Sequence, residues 1–327
     1  MKHICLALIT VALINHPVTV YTSAPHKITI LFSASDNGYI YGCCCPSSPK
    51  SGVIKRAGFI QSYREKVPDA VIVSTGDIFS VYPDAKRSAV AAKAQSLVGY
   101  QAIVPGDQEF VNGIDFFISL GKMLPLTAAN LTVNHADAGE VINPYILVNY
   151  GVLKVAFIGI IDPDAFKYFQ DKDALSKITI GNPAGALTKI YTEVKTKADF
   201  IIILSHGGVD FNKKLAKACP WPDIFIGGHT QELVKEPIKD AVVPVIQPGK
   251  NGDWQGELIL TKKNSDNKQI NHSLTYHFFR HPCPPKIKIS ETIILGDEPF
   301  SEYSAKIHEN PPDHPGIASL CKNENCY

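Results

Sequence analysis

Five short segments put polar or charged residues directly after apolar runs that read as strands. They are Ser33-Ala34-Ser35-Asp36-Asn37-Gly38, Thr75-Gly76-Asp77, Pro105-Gly106-Asp107-Gln108-Glu109, Leu204-Ser205-His206-Gly207 and Gly227-Gly228-His229-Thr230-Gln231. Open α/β sheets build their ligand sites beyond the carboxyl ends of parallel strands, so carboxylates and imidazoles at such places are candidates for chemistry. A lone Gly-Asp or Gly-His carries little information. Two Gly-Asp turns followed by two post-strand histidines carry much more.

The elements that must position these residues alternate in type. Strands are predicted over 27–33, 70–74, 102–104 and 200–204, with helices over 53–66, 85–98, 113–121, 183–197 and 211–218. Residues 145–161 read as two strands turning at Tyr150-Gly151. Strands over 224–226, 243–246, 257–261 and 273–279 follow. The fold class is therefore α/β, with helices outside the sheet. The late strands, which lack intervening helices, suggest a second sheet packed on the first.

The chain has 327 residues and a formal net charge of +1, with 32 basic and 31 acidic residues mixed along it. That balance gives no sign of a nucleic-acid-binding surface. Residues 1–24 read as a signal peptide, with a basic start at Met1-Lys2-His3 and an apolar run from Ile4 to Ile14 too short for a membrane span. This implies export, periplasmic or extracellular, with an uncleaved anchor as the alternative. Residues 27–280 form the expected domain, and 281–327 a Pro-punctuated tail, extended or loosely ordered. Apart from Cys5, the cysteines form an odd set: Cys43, Cys44, Cys45, Cys219, Cys283, Cys321 and Cys326. At least one is left as a free thiol, a ligand or an intermolecular bridge.

The five segments, in order, resemble the calcineurin-like metallophosphoesterases, whose signature runs Asp-x-His, Gly-Asp, Gly-Asn-His, a His after an apolar strand, then Gly-His-x-His. Ala128-Ala129-Asn130-Leu131, Val155-Ala156-Phe157-Ile158-Gly159 and Val245-Ile246-Gln247-Pro248-Gly249 are similar to the 5′-nucleotidase branch. The resemblance covers roughly Lys27 to Phe279. It implies a four-layer αββα sandwich, with two mixed sheets face to face.

In that family the Gly-Asp carboxylate bridges two metals, and Asp77 matches it. The other ligands of one metal match Asp107, in place of Asn, with His206 and His229. The resemblance thus implies one divalent metal ion on Asp77, Asp107, His206 and His229, and two carboxylates with two imidazoles suit Zn²⁺, Fe²⁺ or Mn²⁺. The ligands of the other metal match Ser35, Asn37, Asp77 and Gln231, so only the bridging residue survives and the second metal is in doubt. The family's catalytic His matches Gln108, which hydrogen-bonds but is no general acid near neutral pH. Gln108 and Asn37 are expected to orient phosphate.

Two features could compensate for the lost ligands. Asp36 could turn inward, although neighbouring side chains at a strand end face opposite ways. Thiolates of Cys43, Cys44 or Cys45 could bind metal, against the plainer reading of a disulfide to Cys219 or Cys283. Cys321 and Cys326 suggest a local disulfide or no bond. His135, His272, His277 and His281 read as surface or strand residues, and Trp221 as packing a loop or lining a pocket. The segment after Phe279 is too short for the nucleoside-binding domain that the resemblance implies in full-length 5′-nucleotidases, so nucleotide specificity does not transfer.

Two readings stand. One is a divergent exported metal-dependent phosphoesterase of weakened activity, acting on a small phosphorylated substrate. The other is a catalytically impaired homologue of 5′-nucleotidases that binds metal or a phosphorylated ligand, or serves as a structural subunit. A third, redox chemistry at one iron, rests only on the ligand types.

Overall fold

The computed structural model describes residues 26–42, 51–238, 241–262, 270–279, 294–295, 302–308 and 313–317. The signal-peptide segment 1–24, the run Cys43-Cys44-Cys45, and Cys283, Cys321, Cys326 and His281 lie outside the described residues, as does most of the 281–327 segment.

Along the chain the elements are β1 (His26–Ser33), α1 (Gly52–Arg64), β2 (Val71–Ser74), α2 (Ala85–Val98), β3 (Ala102–Ile103), α3 (Ile114–Gly121), β4 (Leu126–Thr127) and β5 (Leu131–Val133). Then come α4 (Ala138–Val141), β6 (Ile142–Asn143), β7 (Tyr145–Tyr150), β8 (Leu153–Ile161), α5 (Lys172–Ser176), β9 (Ile178–Ile180), α6 (Pro183–Val194) and β10 (Phe200–His206). The last are α7 (Val209–Ala218), β11 (Ile224–Gly227), β12 (Leu233–Val234), β13 (Val245–Pro248), β14 (Trp254–Lys262), β15 (Ile270–Phe279), β16 (Ile294–Leu295) and β17 (Glu302–His308).

Two sheets carry the architecture. The first has the order β16-β17-β15-β14-β1-β2-β3-β4-β6, and the second β12-β13-β11-β10-β8-β7. Within the first, β1, β2, β3 and β4 run parallel, so their carboxyl ends share one edge of the sandwich. Within the second, β8, β10, β11 and β13 are parallel in the same way. Strand β10 shows why the central strands read as unbroken apolar runs rather than alternating ones. Ile202 and Leu204 join the core between the sheets, whereas Ile201 and Ile203 face the cluster formed with Leu187 and Ile190 of α6 and Leu215 of α7. A strand buried on both faces needs apolar side chains at every position. On the other side, Phe59 of α1 packs on Phe279 and His277 of β15, with ring centroids 5.1 and 4.6 Å apart. The layers are helix, sheet, sheet, helix, the α/β sandwich that the motifs implied.

One expectation about assembly is corrected. The late strands divide between the sheets, with β11 and β13 in the second. Strands β14 and β15 extend the first one, β14 lying antiparallel to β1 from His26↔Lys262 to Phe32↔Gly256. The second sheet comes from the middle of the chain. Part of the Pro-punctuated segment also joins the first sheet, since β17 pairs in parallel with β15. Nearby, Asp313 forms an ion pair with Lys55 at 2.7 Å and Ile317 is buried.

Candidate metal centre

The loops that leave β1, β2, β3, β10, β11 and β13 meet at one end of the sandwich. Backbone hydrogen bonds lace them together. Ser35 N–H donates to Gly76 O (2.8 Å), Asn37 N–H to Asp77 O (2.8 Å) and Asn251 N–H to Ser35 O (2.7 Å). The Thr75 hydroxyl donates to Gly227 O at 3.0 Å, tying a loop of one sheet to a strand of the other. Among the described residues, six non-glycine residues have left-handed φ: Ser35 (49°), Asn37 (52°), Asp77 (57°), His229 (63°), Gln231 (62°) and Asn251 (59°). All six lie in these loops. Such backbone costs of order 1 kcal/mol per residue and persists only where its surroundings fix it.

These turns bring Asp77 and Asp107 from the first sheet against His206 and His229 from the second. One ligand atom of each lies within 4.8 Å of the others. His206 Nε2 is 3.4 Å from Asp77 Oδ1 and 3.6 Å from Asp107 Oδ1, and His229 Nδ1 is 3.6 Å from Asp107 Oδ1. Atoms bound about 2.1 Å from a shared tetrahedral centre are about 3.4 Å apart, so these spacings fit a transition-metal cage. The ligand atoms are also orphans. Asp77 Oδ1, Asp107 Oδ1 and His206 Nε2 are buried without a hydrogen-bond partner, which a native interior rarely tolerates unless something else satisfies them. The four residues fit a divalent ion.

His206 is aimed by its other nitrogen. Nδ1 lies 2.7 Å from Thr75 O, and a carbonyl only accepts, so Nδ1 donates and Nε2 faces the carboxylates. Gly106 makes room, because a Cβ there would overlap the His206 ring and approach Asp77 Oδ1 to 2.7 Å. Beneath the cluster, Glu109 accepts from Ile78 N–H (2.7 Å), Asp77 N–H (3.1 Å) and Gly106 N–H, clamping both Gly-Asp turns. Sequence reasoning gave Glu109 no role.

Burial and crowding show in the proton affinities of Asp77 and Glu109, both raised. Burial pushes the Asp77 carboxyl up to about 8, with Asp107 and Glu109 adding and His206 opposing. Burial alone would lower His206, but Asp77 and Asp107 outweigh it and lift it to about 10. His229 is lowered by burial and by His206. Without a cation the cluster holds protons, and a metal ion would displace them.

The other half of the site is a knot of amides. Asn37 Oδ1 accepts from Gln108 Nε2 (3.2 Å) and Gln231 Nε2 (3.3 Å), while Asn37 Nδ2 donates to Asn251 Oδ1 (2.9 Å). Ser35 Oγ reaches Asp77 Oδ2 at 3.5 Å. The neutral side chains are thus bonded to one another. Asn251 was missed in the sequence; its signal is an Asn in the Gly-rich turn after β13. Compensation by Asp36 is not what the structure shows. Its carboxylate is buried in a two-pronged pair with Arg56 and accepts from Gln95 Nε2 at 2.6 Å, and Tyr100 OH takes a further Arg56 bond at 2.8 Å. Strand geometry sends Asp36 to the face opposite Ser35 and Asn37. Cys219 is a buried free thiol beside Ala184 O, so it forms no bridge. Trp221 stacks on Tyr191 at 4.2 Å under α6 rather than lining the site. His135 pairs with Asp115 and His277 with Glu257.

Asp107 and His229 are the open side of the cluster, at side-chain exposures of 21% and 31%. Next to them lies a cleft of about 350 Å³ lined by Asp162, Asp164, Asp210, Phe211, His229 and Glu232, among others. A larger cleft of about 530 Å³, with Arg64, Asp69 and Tyr150, sits at the start of β2 and the β7–β8 turn, far from these groups.

Comparison with known proteins places the chain as a whole. A 2′,3′-cyclic-nucleotide 2′-phosphodiesterase/3′-nucleotidase of Salmonella typhimurium is 23% identical over 268 residues, 68% of this chain and 41% of that protein. A snake venom 5′-nucleotidase of Crotalus adamanteus is 24% identical over 207 residues, 59% of this chain and 34% of that one. The structure of Haemophilus influenzae NAD nucleotidase matches with a TM-score of 0.70 at 14% identity, covering 92% of this chain and 67% of its own. The chain is a metallophosphoesterase-fold relative of the 5′-nucleotidases. No family model matches it. It spans well under half the length of the two curated relatives, so their activities are not simply its own. Within the fold, Asp77, Asp107, His206 and His229 converge on one site, with Ser35, Asn37, Gln108 and Gln231 beside them. Among the described residues no helix is long and apolar enough to cross a membrane.

Proposed function

We propose that the chain is an exported, metal-dependent phosphoester hydrolase that uses one divalent ion, with activity reduced by the amide half of its site. Export rests on the 1–24 reading. The observation that carries the rest is the set of buried, partnerless ligand atoms on Asp77, Asp107 and His206, with His229 completing it.

A divalent ion there supplies Lewis-acid chemistry, acidifying water and polarising a phosphoryl oxygen. In the net reaction, water oxygen bonds to phosphorus, the ester P–O bond breaks, and the departing oxygen gains a proton. Asp77, Asp107, His206 and His229 hold the ion. Asn37 and Gln108 orient the phosphoryl group by exchanging their mutual hydrogen bond for bonds to its oxygens. Among the described residues none replaces the proton donor that Gln108 cannot be, so the leaving oxygen takes its proton from water.

The test is elemental analysis of the full chain, then hydrolysis of generic phosphodiesters and monoesters. The expected result is one metal per chain and slow turnover, both lost in Asp77→Asn. Two metals per chain would contradict the one-ion reading. One metal with no turnover, unaltered by Asp77→Asn, would favour the impaired homologue.

A further inference from the structure

A divalent ion on this cluster leaves no surplus positive charge. Asp77 and Asp107 offset its two charges, the histidines are neutral ligands, and the Glu109 carboxylate sits within hydrogen-bond reach of the Asp77 backbone. Among the described residues, no Lys or Arg forms an ion pair with Asp77, Asp107 or Glu109. The adjoining recess adds only neutral amides, from Asn37, Gln108, Gln231 and Asn251. Gln108 is 4% exposed, and its Oε1 is a buried acceptor with no partner, so the recess is built for hydrogen bonding rather than for charge.

The approach is acidic as well. The cleft beside His229 carries Asp162, Asp164, Asp210 and Glu232. Lys214 acts electrostatically on Asp162, while Asp164, Asp210 and Glu232 have no ion pair among the described residues. An incoming anion therefore meets carboxylates before it meets the metal, and each added charge on it raises the repulsion.

Resting on the hydrolase reading above, we infer that the ester taken by this site is a monoanion, a phosphodiester, in preference to a dianionic phosphomonoester. A phosphomonoester has a second pKa near 6 and approaches two charges at neutral pH, whereas a diester keeps one. The amides can hydrogen-bond the oxygens of a monoanion, but no described residue of the site neutralises a second charge.

The experiment uses the full chain loaded with Mn²⁺ and two probes that differ by one methyl group, methyl phenyl phosphate and phenyl phosphate. Dissociation constants are read by calorimetry at low and high salt. The diester is expected to bind at least tenfold tighter at low salt, and the gap to narrow at high salt, where screening weakens repulsion between exposed charges. The triple variant Asp164→Asn, Asp210→Asn, Glu232→Gln, which leaves the metal ligands intact, is expected to close most of the gap by improving the monoester more than the diester. Equal or tighter monoester binding, a gap unmoved by both salt and variant, or binding of neither probe overturns the inference. Hydrolysis with p-nitrophenyl esters separates the two readings. Diester-selective binding without turnover supports this inference and sinks the hydrolase reading. Turnover that favours the monoester in kcat/KM sinks this inference alone.

Discussion

At position 108 the side chain gives and takes hydrogen bonds but holds no titratable proton near neutral pH, so a leaving oxygen must find its proton in water. That is a small handicap for a phenolate and a large one for an alkoxide. Gln108→His restores a titratable group at the spot where Gln108 Nε2 now meets Asn37. Positioned general acids contribute about 10²- to 10⁴-fold, so the variant should hydrolyse alkyl esters up to about 10²-fold faster while gaining little on nitrophenyl esters. Rates across a series of leaving groups measure this. An equal gain on every leaving group would mean that the histidine acts by some route other than proton donation. The neighbouring Asp36 belongs to a different argument. With Arg56, Gln95 and Tyr100 it forms a fully buried polar network, so its charge serves the fold of the first loop and not the metal.

The loops show which features of the sequence were legible and which were not. Strands β1, β2, β10 and β11 stand out because they are short apolar runs with Gly, Asp or His at or just past their ends, and helix α2 is found with its ends at Ala85 and Val98. The residues that converge on the metal centre were readable because each sits at the end of a strand or within four residues beyond it. The sheet to which a strand belongs was not readable. Strands β14 and β15 have the same apolar character whether they start a new sheet or extend the first, and only long-range pairing with β1 decides it. Two-residue strands such as β4 and β6 are too short for a periodic signal, and the pairing of β5 with β9 spans α4, the β7–β8 hairpin and α5. Nor could spacing reveal that Asn37, Gln108, Gln231 and Asn251 bond to one another, because they come from four loops. The turn glycines do carry a prediction at this scale. Gly106→Ala places a methyl group in the His206 ring, so the turn or the ring must move. The variant should keep the far-ultraviolet circular dichroism of the parent while metal affinity falls by 10-fold or more, as is typical when a ligand's support is disturbed. Unchanged metal affinity would show that His206 is not a ligand.

At the scale of the whole molecule the metal centre is a clasp between the two sheets. Asp77 and Asp107 follow strands of one, His206 and His229 follow strands of the other, and Thr75 spans the gap twice, through its hydroxyl to Gly227 and its carbonyl to His206. An ion bound only when all four residues are assembled stabilises the folded state by mass action, by about 2.7 kcal/mol at 100 times its dissociation constant. For a domain of this size that shifts the melting temperature by several degrees. Adding Zn²⁺ or Mn²⁺ to chelator-treated protein should therefore raise Tm, and His229→Ala should cancel the rise. The shift should also depend on pH, with a sign set by the protons the empty cluster holds. Burial keeps the Asp77 carboxyl protonated up to about 8, and the surrounding carboxylates keep the His206 ring protonated higher still. Both must lose a proton to bind metal, so metal binding releases protons and tightens as pH rises through the Asp77 value. The metal-induced rise in Tm should accordingly grow from pH 6 to pH 8, and metal titrations in weak buffer should acidify. A rise that shrank over the same range, or uptake without proton release, would mean that the ion sits somewhere other than between Asp77 and His206.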